Sequence, residues 1–386
     1  MTKQHLIKRI LKYFLGVVVF LVLVVIFLWQ NPHFLVQAFF GVVADSVEIA
    51  SQQSYSPRET DEKTTTIVAA ANLFLTSLND KQKQAVMYAF DDNEQRVNWS
   101  NLPADLVPRG GLKLGQLTKE QRGHLDALFA EFMSDKGVQK INYQLVAEDT
   151  SPPSLMLKMR TKDLMIKHRT QGFYVTFLGE PSASLPWMFQ FGGHHLGINI
   201  TVYGVDLSFS PMLTGGGPLH INHDGREIFL TEEETEAAQT FLDSLTDEQK
   251  KIAVRGTKAV DWLLGPGKFG TVIEPEGIKG SSLTDAQKQL LLNIINARLD
   301  YINDDDRAAI MTTIIAELDD TYFGWWGEQG RLGFAYYRIT APSLVLEYSP
   351  QDDDNDSPTD DHAHNMYRNP KNDYGSAWLG EDHTDK

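Results

Sequence analysis

A short phrase that recurs four times constrains the fold more than any other feature of this sequence. The copies begin at Leu78, Leu117, Leu245 and Leu283; in each, Asn or Thr follows the leucine and Gln stands three residues after that. This pattern is typical of a capping box, in which the Asn or Thr side chain and the Gln side chain bind free backbone N–H groups at a helix start. The sequence therefore predicts four helices that begin in the same way.

The spacing of the copies indicates an internal duplication. Leu78 and Leu245 lie 167 positions apart, and Leu117 and Leu283 lie 166 apart. Two further pairs of segments match at offsets of 166 and 161: 111–113 with 277–279, and 181–182 with 342–343. Helix caps that arose by convergence would have no common offset, so duplication is the better explanation.

Each half is predicted to contain helices followed by strands. An aromatic, β-prone run, 173–177 in one half and 336–340 in the other, precedes the matching Pro-Ser pair, and a histidine cluster comes next. Helices and strands in separate blocks favour an α+β fold over an alternating α/β fold. We expect a first half over 64–230 and a second half over 231–378, related by a pseudo-twofold axis, and a C-terminal tail over 379–386.

The N-terminus has the pattern of a membrane anchor. Four basic residues lie within the first twelve positions, and an apolar run follows from Phe14 to Trp29. A basic flank stays on the cytoplasmic side, so residues 1–44 are predicted to be a single-pass transmembrane anchor, with the globular part facing the periplasm or the exterior. A cleaved signal peptide that ends near Ala44 is the alternative. Residues 45–63 are polar and are expected to form a tether.

The charge and the lack of cysteine narrow the chemistry. The formal net charge of −16 argues against nucleic acid as a partner, because a duplex-binding protein needs a basic surface. The sequence contains no cysteine, which excludes disulfides, thiolate ligands and cysteine nucleophiles. Any metal ion must therefore be bound by imidazole, carboxylate or water.

Two tight histidine clusters are the best candidates for a functional site. His194 and His195 follow two glycines, and His362 and His364 stand two positions apart. Residues two apart in an extended chain share a face, so His362 and His364 can bind one ion. On a strand predicted from Leu196, His195 falls on the polar face and His194 on the apolar face. His195 is therefore the stronger ligand candidate, and His194 is a core residue or a supporting ligand.

A shared metal site follows if the two halves meet at their axis. His195, His362 and His364 would then form a three-nitrogen site with open positions, which suits zinc, copper or iron. The alternative is that these histidines are hydrogen-bonded core residues without a ligand. The acidic segment 352–361, which ends just before His362, is expected to be a solvated loop.

Five further residues are candidates for chemistry around that site. Glu347 lies in an apolar run, where a carboxylate is costly unless it is paired or bound to metal, so it is a candidate base, ligand or histidine partner. Tyr367 is a candidate for proton transfer. Arg109, Arg338 and Arg368 are candidates for binding an anionic small-molecule substrate, because guanidinium matches carboxylate and phosphate. Structural ion pairs are the alternative role for each arginine.

The chain resembles the uncharacterised bacterial domain-of-unknown-function family 3500 over residues 65–376. The motifs that carry the resemblance stand at 98–103 (Asn-Trp-Ser-Asn-Leu-Pro), 186–196 (Pro-Trp through Gly-Gly-His-His-Leu), 265–267 (Gly-Pro-Gly), 275–277 (Pro-Glu-Gly), 336–339 (Tyr-Tyr-Arg-Ile), 346–348 (Leu-Glu-Tyr) and 362–375 (His-Ala-His through Asn-Asp-Tyr-Gly). The sequence departs from the family in its membrane-anchored start and its acidic insertion. The resemblance supports the site residues and implies no reaction.

Three functions are compatible with these residues. The first is a metal-dependent enzyme outside the cytoplasm, a hydrolase or an oxidoreductase, whose ion sits between the two halves. The second is a non-catalytic module that binds a small ligand or an envelope partner, with hydrogen-bonding histidines. The third is a metal carrier or sensor. Each of these functions that involves a metal requires that His195 lies close to His362 and His364 in the folded chain.

Overall fold

The computed structural model describes residues 48–104, 106–150, 172–352 and 358–379. The predicted anchor over 1–44 lies outside these ranges. Within them, no helix is both long and apolar enough to cross a membrane.

The helices and strands of the described residues have the following bounds. The α-helices are α1 (Glu62–Ser77), α2 (Asp80–Val86), α3 (Asn93–Arg96), α4 (Lys119–Phe132), α5 (Asp135–Thr150), α6 (Glu232–Ser244), α7 (Asp247–Ala253), α8 (Asp285–Leu299), α9 (Asp304–Ala316) and α10 (Ser376–Leu379). The strands are β1 (Met87–Tyr88), β2 (Leu112–Lys113), β3 (Tyr174–Leu178), β4 (Trp187–Gly192), β5 (Gly197–Tyr203), β6 (Asp206–Ser208), β7 (Met212–Gly216), β8 (His220–His223), β9 (Arg226–Phe229), β10 (Val254–Gly256), β11 (Ile278–Lys279), β12 (Tyr322–Trp326), β13 (Tyr336–Ala341), β14 (Leu344–Asp352) and β15 (Pro358–Arg368).

The four predicted helix starts are confirmed. Asn79, Thr118, Thr246 and Thr284 precede α2, α4, α7 and α8. Each side chain accepts a hydrogen bond from the backbone N–H of the glutamine three residues later, and that glutamine's side chain accepts one from the cap residue's backbone. The repeated phrase therefore fixes the starts of these four helices by local hydrogen bonds alone.

One large mixed sheet organises the fold. Its strands follow the order β1-β3-β4-β5-β7-β15-β14-β13-β12-β10, and β2, β6 and β11 pair with strands of this series. Alternate strand residues enter two separate cores, as Phe189 and Met188 do on β4. The larger core packs the sheet against helices, with Phe74 of α1 and Ile294 of α8 fully buried. The smaller core covers the other face with loop residues such as Trp99.

Part of the segment predicted to be a tether packs against this second face. Ile49 and Tyr55 are buried there. The Tyr55 hydroxyl donates to the Leu379 carbonyl over 2.6 Å, and Gln52 Nε2 donates to the Pro186 carbonyl over 2.9 Å. Residues 49–55 therefore belong to the folded part.

The same contacts occur at both ends of the sheet. β1 runs parallel to β3, and β10 runs parallel to β12. β2 and β11 pair antiparallel with these same neighbours. The capping glutamines also join each pair of helices: Gln82 Nε2 donates to Gln121 Oε1 over 3.1 Å, and Gln249 Nε2 donates to Gln287 Oε1 over 3.0 Å. In its pairing partners β3 therefore resembles β12, and in the order of the sheet β4 takes the place that corresponds to β13.

This arrangement corrects one part of the predicted repeat. The run 173–177 forms β3, whereas the run 336–340 forms β13, which matches β4. The offset fails because the chain between α5 and β3 is longer than the chain between α9 and β12. The histidine clusters are therefore not at equivalent positions: 194–195 lies between β4 and β5, and 362–364 lies within β15.

Candidate metal centre

The strand register brings the two histidine clusters to one place near the middle of the sheet. β15 pairs with β7, so that His364 lies opposite Gly215. On its other side β7 pairs with β5, where Gly197 lies opposite Leu213. Gln144 Nε2 reaches the carbonyls of both His195, at 3.5 Å, and Gly215, at 2.6 Å, which places His195 beside Gly215. His195 and His364 therefore flank the same residue of β7 from its two sides.

His195 lies in a tight turn rather than on a strand. Its φ of 56° is in the left-handed region, and the turn is closed by a hydrogen bond from the Gly193 N–H to the Leu196 carbonyl over 2.9 Å. Strand alternation predicts His195 on the polar face of a strand, but the strand begins only at Gly197. The turn, rather than strand alternation, directs this imidazole. A left-handed backbone is uncommon for a residue other than glycine and is often found at functional sites.

The structure brings His195, His362 and His364 together. The Nε2 atoms of His195 and His362 lie 3.0 Å apart. The ring of His364 has its centroid 5.2 Å from that of His195 and 5.3 Å from that of His362, and one ligand atom from each residue lies within 4.8 Å of the others. Tetrahedral zinc with Zn–N bonds of about 2.0–2.1 Å separates its nitrogens by about 3.3 Å. The three imidazoles can therefore hold one ion after small side-chain shifts.

Gly217 permits this close approach. A Cβ atom on Gly217 would lie 3.0 Å from His362 Cδ2 and 3.5 Å from His195 Cε1. The first distance is shorter than ordinary van der Waals contact, so any side chain here would press on the His362 ring. The lack of a side chain at Gly217 therefore leaves the space in which the rings of His195 and His362 approach each other.

His364 is the most informative member of the group. It is 4% exposed, and among the residues that the structure describes neither of its ring nitrogens has a hydrogen-bond partner. Burial, together with the nearby His362 and His194, holds the pKa of His364 well below its ordinary 6.5. The ring is therefore neutral at physiological pH, which is the form that binds metal. Trp262 packs on this ring with a centroid distance of 4.8 Å.

A second group of donors adjoins the first and includes a residue that the sequence did not reveal. Glu148 Oε2 lies 2.8 Å from His194 Nδ1, and the His194 ring stacks on His195 at 3.7 Å. Gln144, one turn earlier on α5, donates to the Gly215 carbonyl over 2.6 Å. Their spacing of four places Gln144 and Glu148 on one helix face. Nothing in the sequence specifies that this helix face packs against the histidine turn, the turn over 193–196 that contains His194 and His195.

Glu347, predicted as a base or ligand, fixes a loop near His364. One carboxylate oxygen accepts from the Leu263 N–H over 2.7 Å and the Tyr336 hydroxyl over 2.6 Å, and the other accepts from the Leu264 N–H over 2.8 Å. Burial raises the pKa of Glu347, while these three donors oppose the rise. The carboxylate thus anchors the loop that carries Trp262, and a catalytic role for Glu347 stays a prediction.

Arg368 anchors the same loop. Its guanidinium donates to the carbonyls of Leu264 and Gly265, each over 2.9 Å, and pairs with Asp373 at 2.6 Å. The ion pair is almost fully buried. A buried Arg–Asp pair with further hydrogen bonds is a structural element whose loss leaves an unpaired charge. The geometry therefore assigns to Arg368 the alternative that the sequence left open, a structural ion pair.

Arg338 and Arg109 are also bound by protein groups. Arg338 pairs with Glu276 at 2.7 Å and packs over the ring of Trp326. Arg109 donates to the carbonyls of Ser100 over 2.8 Å and Leu102 over 2.7 Å, and to that of Gly193, beside the histidine turn, over 3.3 Å. Substrate contact by any of the three arginines stays a prediction, and these partners favour a structural role.

Tyr367 does not reach the histidines. Side chains alternate along β15, so His362, His364 and Met366 share one face and Tyr367 lies on the other. Met366 accordingly belongs to the smaller core and Tyr367 to the helix-side core. The structure therefore corrects the prediction that Tyr367 transfers protons at this site.

Asp361 also has a structural partner that the sequence did not predict. The sequence predicts a solvated loop over 352–361, which includes Asp361. Its Oδ1 accepts hydrogen bonds from the Leu219 N–H over 2.8 Å and the His220 N–H over 2.9 Å. Asp361 thereby joins the start of β15 to the chain that follows Gly217.

These features define a class of protein: an α+β fold with a buried cluster of imidazoles and a carboxylate that can hold a metal ion. The family profile described as "Protein of unknown function (DUF3500)" matches residues 60–376, and the chain belongs to this family. No curated protein and no solved structure matches the chain with significance.

Proposed function

We propose that this protein is a metalloprotein that binds one transition-metal ion through His195, His362 and His364 and uses it as a metal-dependent enzyme. The observation that carries the proposal is the buried His364, whose two ring nitrogens have no hydrogen-bond partner among the described residues. A buried polar group without a partner costs about 1–3 kcal/mol, so such groups are rare unless a ligand uses them. Two other imidazoles face this one within ligand distance.

The donor set supports zinc, copper or iron as the ion. Three neutral imidazole nitrogens suit these metals, and a three-ligand set keeps positions open for substrate. Such an ion acts as a Lewis acid on an oxygen atom of water or substrate. His362 and His194 are only partly buried, so the group is reachable from solvent on their side. The protein residues fix the ligands: Gly217 sets their spacing, and the loop around Trp262 covers His364.

Metal content of the purified full-length chain tests this proposal. The protein is stripped with a chelator, dialysed against Zn²⁺, Cu²⁺ or Fe²⁺, and analysed by mass spectrometry. We expect tight binding in the wild type. Loss of an outer-shell partner weakens metal binding about 10- to 100-fold, and His364→Ala, which removes a ligand, should weaken it by more. His124→Ala, on α4, is the matched control and should bind like the wild type. A wild-type chain that binds none of these metals would refute the proposal.

The melting temperature separates this function from a non-catalytic module with hydrogen-bonding histidines. Metal that binds only the folded chain raises its stability by mass action. We expect Zn²⁺ to raise the melting temperature of the wild type and of His124→Ala by more than that of His364→Ala. Equal melting curves with and without metal favour the module instead.

We also infer a duplicated origin and an extracytoplasmic location. The duplication is supported by the matching caps, the bonded glutamine pairs and the like pairing at both ends of the sheet; the ion would lie where β7 and β15 join the two halves. The location is supported by the basic and apolar pattern of residues 1–44. Protease added to intact spheroplasts should digest the globular part, and full protection would contradict this location.

A further inference from the structure

A second set of metal donors overlaps the first at His195. Glu148, His194 and His195 each offer a ligand atom, and these atoms lie within 4.8 Å of one another. The two groups differ in chemistry: the first has three imidazoles, and the second has two imidazoles and a carboxylate. Mixed nitrogen and oxygen donors also suit divalent transition metals.

The Glu148 carboxylate is placed where a cation is favourable. Glu148 is 7% exposed, and its Oε2 lies 2.8 Å from His194 Nδ1. A carboxylate removed from water needs positive charge or strong donors nearby. A divalent ion between Oε2 and the His194 ring would supply such a charge.

The His195 ring can serve both groups at once. Its Nε2 atom faces His362 Nε2 at 3.0 Å, within the first group. With Nε2 used by the first group, Nδ1 is the nitrogen of His195 that remains for an ion shared with His194 and Glu148. Because the two nitrogens of an imidazole point in different directions, such an ion would lie outside the first group.

We infer that the site is dinuclear: a second transition-metal ion is held by Glu148, His194 and His195, with the His195 ring between the two ions. This inference rests on the proposed function, because it adds a second ion to the same cluster. When both ions bind, the N–H proton of His195 leaves to solvent, and the proton between His194 and Glu148 ends on His194 Nε2, which would free Nδ1 and Oε2 for the ion. No oxidation or reduction is involved.

Zinc stoichiometry of the purified full-length chain tests the inference. After chelation and dialysis against Zn²⁺, we expect two ions per chain in the wild type and one in Glu148→Gln, which keeps the shape of the side chain and removes its charge. His364→Ala should lose the other ion and keep the one at Glu148. Glu236→Gln, an exposed glutamate of α6, is the matched control and should keep two.

A spectroscopic measurement makes the test independent of folding defects. Two Cu²⁺ ions that share one imidazole are magnetically coupled, so the wild type loaded with two equivalents should give a much weaker paramagnetic resonance signal than two isolated ions. Glu148→Gln with one equivalent should give the full signal of an isolated ion. Circular dichroism of the chelated variants confirms that each is folded.

The outcomes separate this inference from the proposed function. One zinc ion per chain in the wild type, unchanged in Glu148→Gln, overturns the dinuclear site and leaves the three-histidine centre standing; Glu148 would then be an outer-shell partner of His194. Two uncoupled Cu²⁺ ions overturn the shared ring. A chain that binds no metal overturns both.

Discussion

Glu234→Gln is expected to change how the stability of the protein depends on pH. Glu234 lies on α6, is 7% exposed, and accepts a hydrogen bond from the side chain of Asn365, the neighbour of His364 on β15. Burial raises the pKa of Glu234 from 4.5 to about 7, although Arg298 and Lys140 oppose the rise. Asp300 and Glu233 add to it. The folded chain therefore favours the protonated carboxyl.

The sign and the size of the effect follow from linkage. Between pH 4.5 and about pH 7 the folded chain keeps a proton on Glu234 that the unfolded chain has released, so the free energy of unfolding falls as pH rises through this window. A difference of about 2.5 pKa units at about 1.36 kcal/mol each gives about 3 kcal/mol. Gln cannot ionise and lacks this contribution. We expect the variant to match the wild type near pH 4 and to be more stable by about 3 kcal/mol above pH 7.5.

Urea denaturation followed by tryptophan fluorescence, from pH 4 to pH 8, measures the effect. A chelator is present throughout, so that metal binding does not enter the comparison. Glu236→Gln on the same helix is exposed and should reproduce the wild-type profile. Parallel profiles for the wild type and Glu234→Gln would show that Glu234 is already ionised in the fold, and the reasoning from burial would then be wrong.

Two further substitutions test how the site is built. Gly217→Ala should weaken zinc binding about 10-fold, because the added Cβ presses on His362. Competition with a chelating dye measures this affinity. The control Gly123→Ala, with no atom near its Cβ, should not change the affinity. Glu347→Gln should lower the free energy of unfolding by about 1–3 kcal/mol in urea, since an amide N–H₂ then faces a backbone N–H; the exposed Glu274→Gln should have no such effect. Unchanged zinc affinity in the first case, or unchanged stability in the second, counts against these contacts.

The sequence-based predictions are most accurate for structural features that are determined by residues close together in the chain. A capping box needs only residues within one helical turn, so the four helix starts could be read directly. The placement of His362 and His364 on one face of β15 follows from strand alternation in the same way. The structure also brings His195 to this pair, but by a left-handed turn and the register of β7 rather than by equivalent positions in a repeat.

The roles of buried charged residues could not be read from the sequence. Glu347 and Arg368 stand out in apolar surroundings, which indicates that each has a partner but not which one. Those partners include backbone groups of Leu263, Leu264 and Gly265, which lie 83 to 103 positions away along the chain. Glu148 gave no signal at all, because its importance depends on how α5 packs against the histidine turn.

Several unusual features of this fold meet at one place, and that coincidence is the strongest argument for a ligand there. His195 has a left-handed backbone, Gly217 is needed for ring contact, and His364 lacks hydrogen-bond partners among the described residues. The left-handed backbone and the unpartnered imidazole each cost about 1–3 kcal/mol. The structural anchors Glu347 and Arg368 hold the loop beside them, so the cluster cannot relax by moving that loop away. Real proteins keep such unfavourable features mainly at functional sites, where ligand binding offsets their free-energy cost. A cation is the ligand that three imidazoles facing one another bind best.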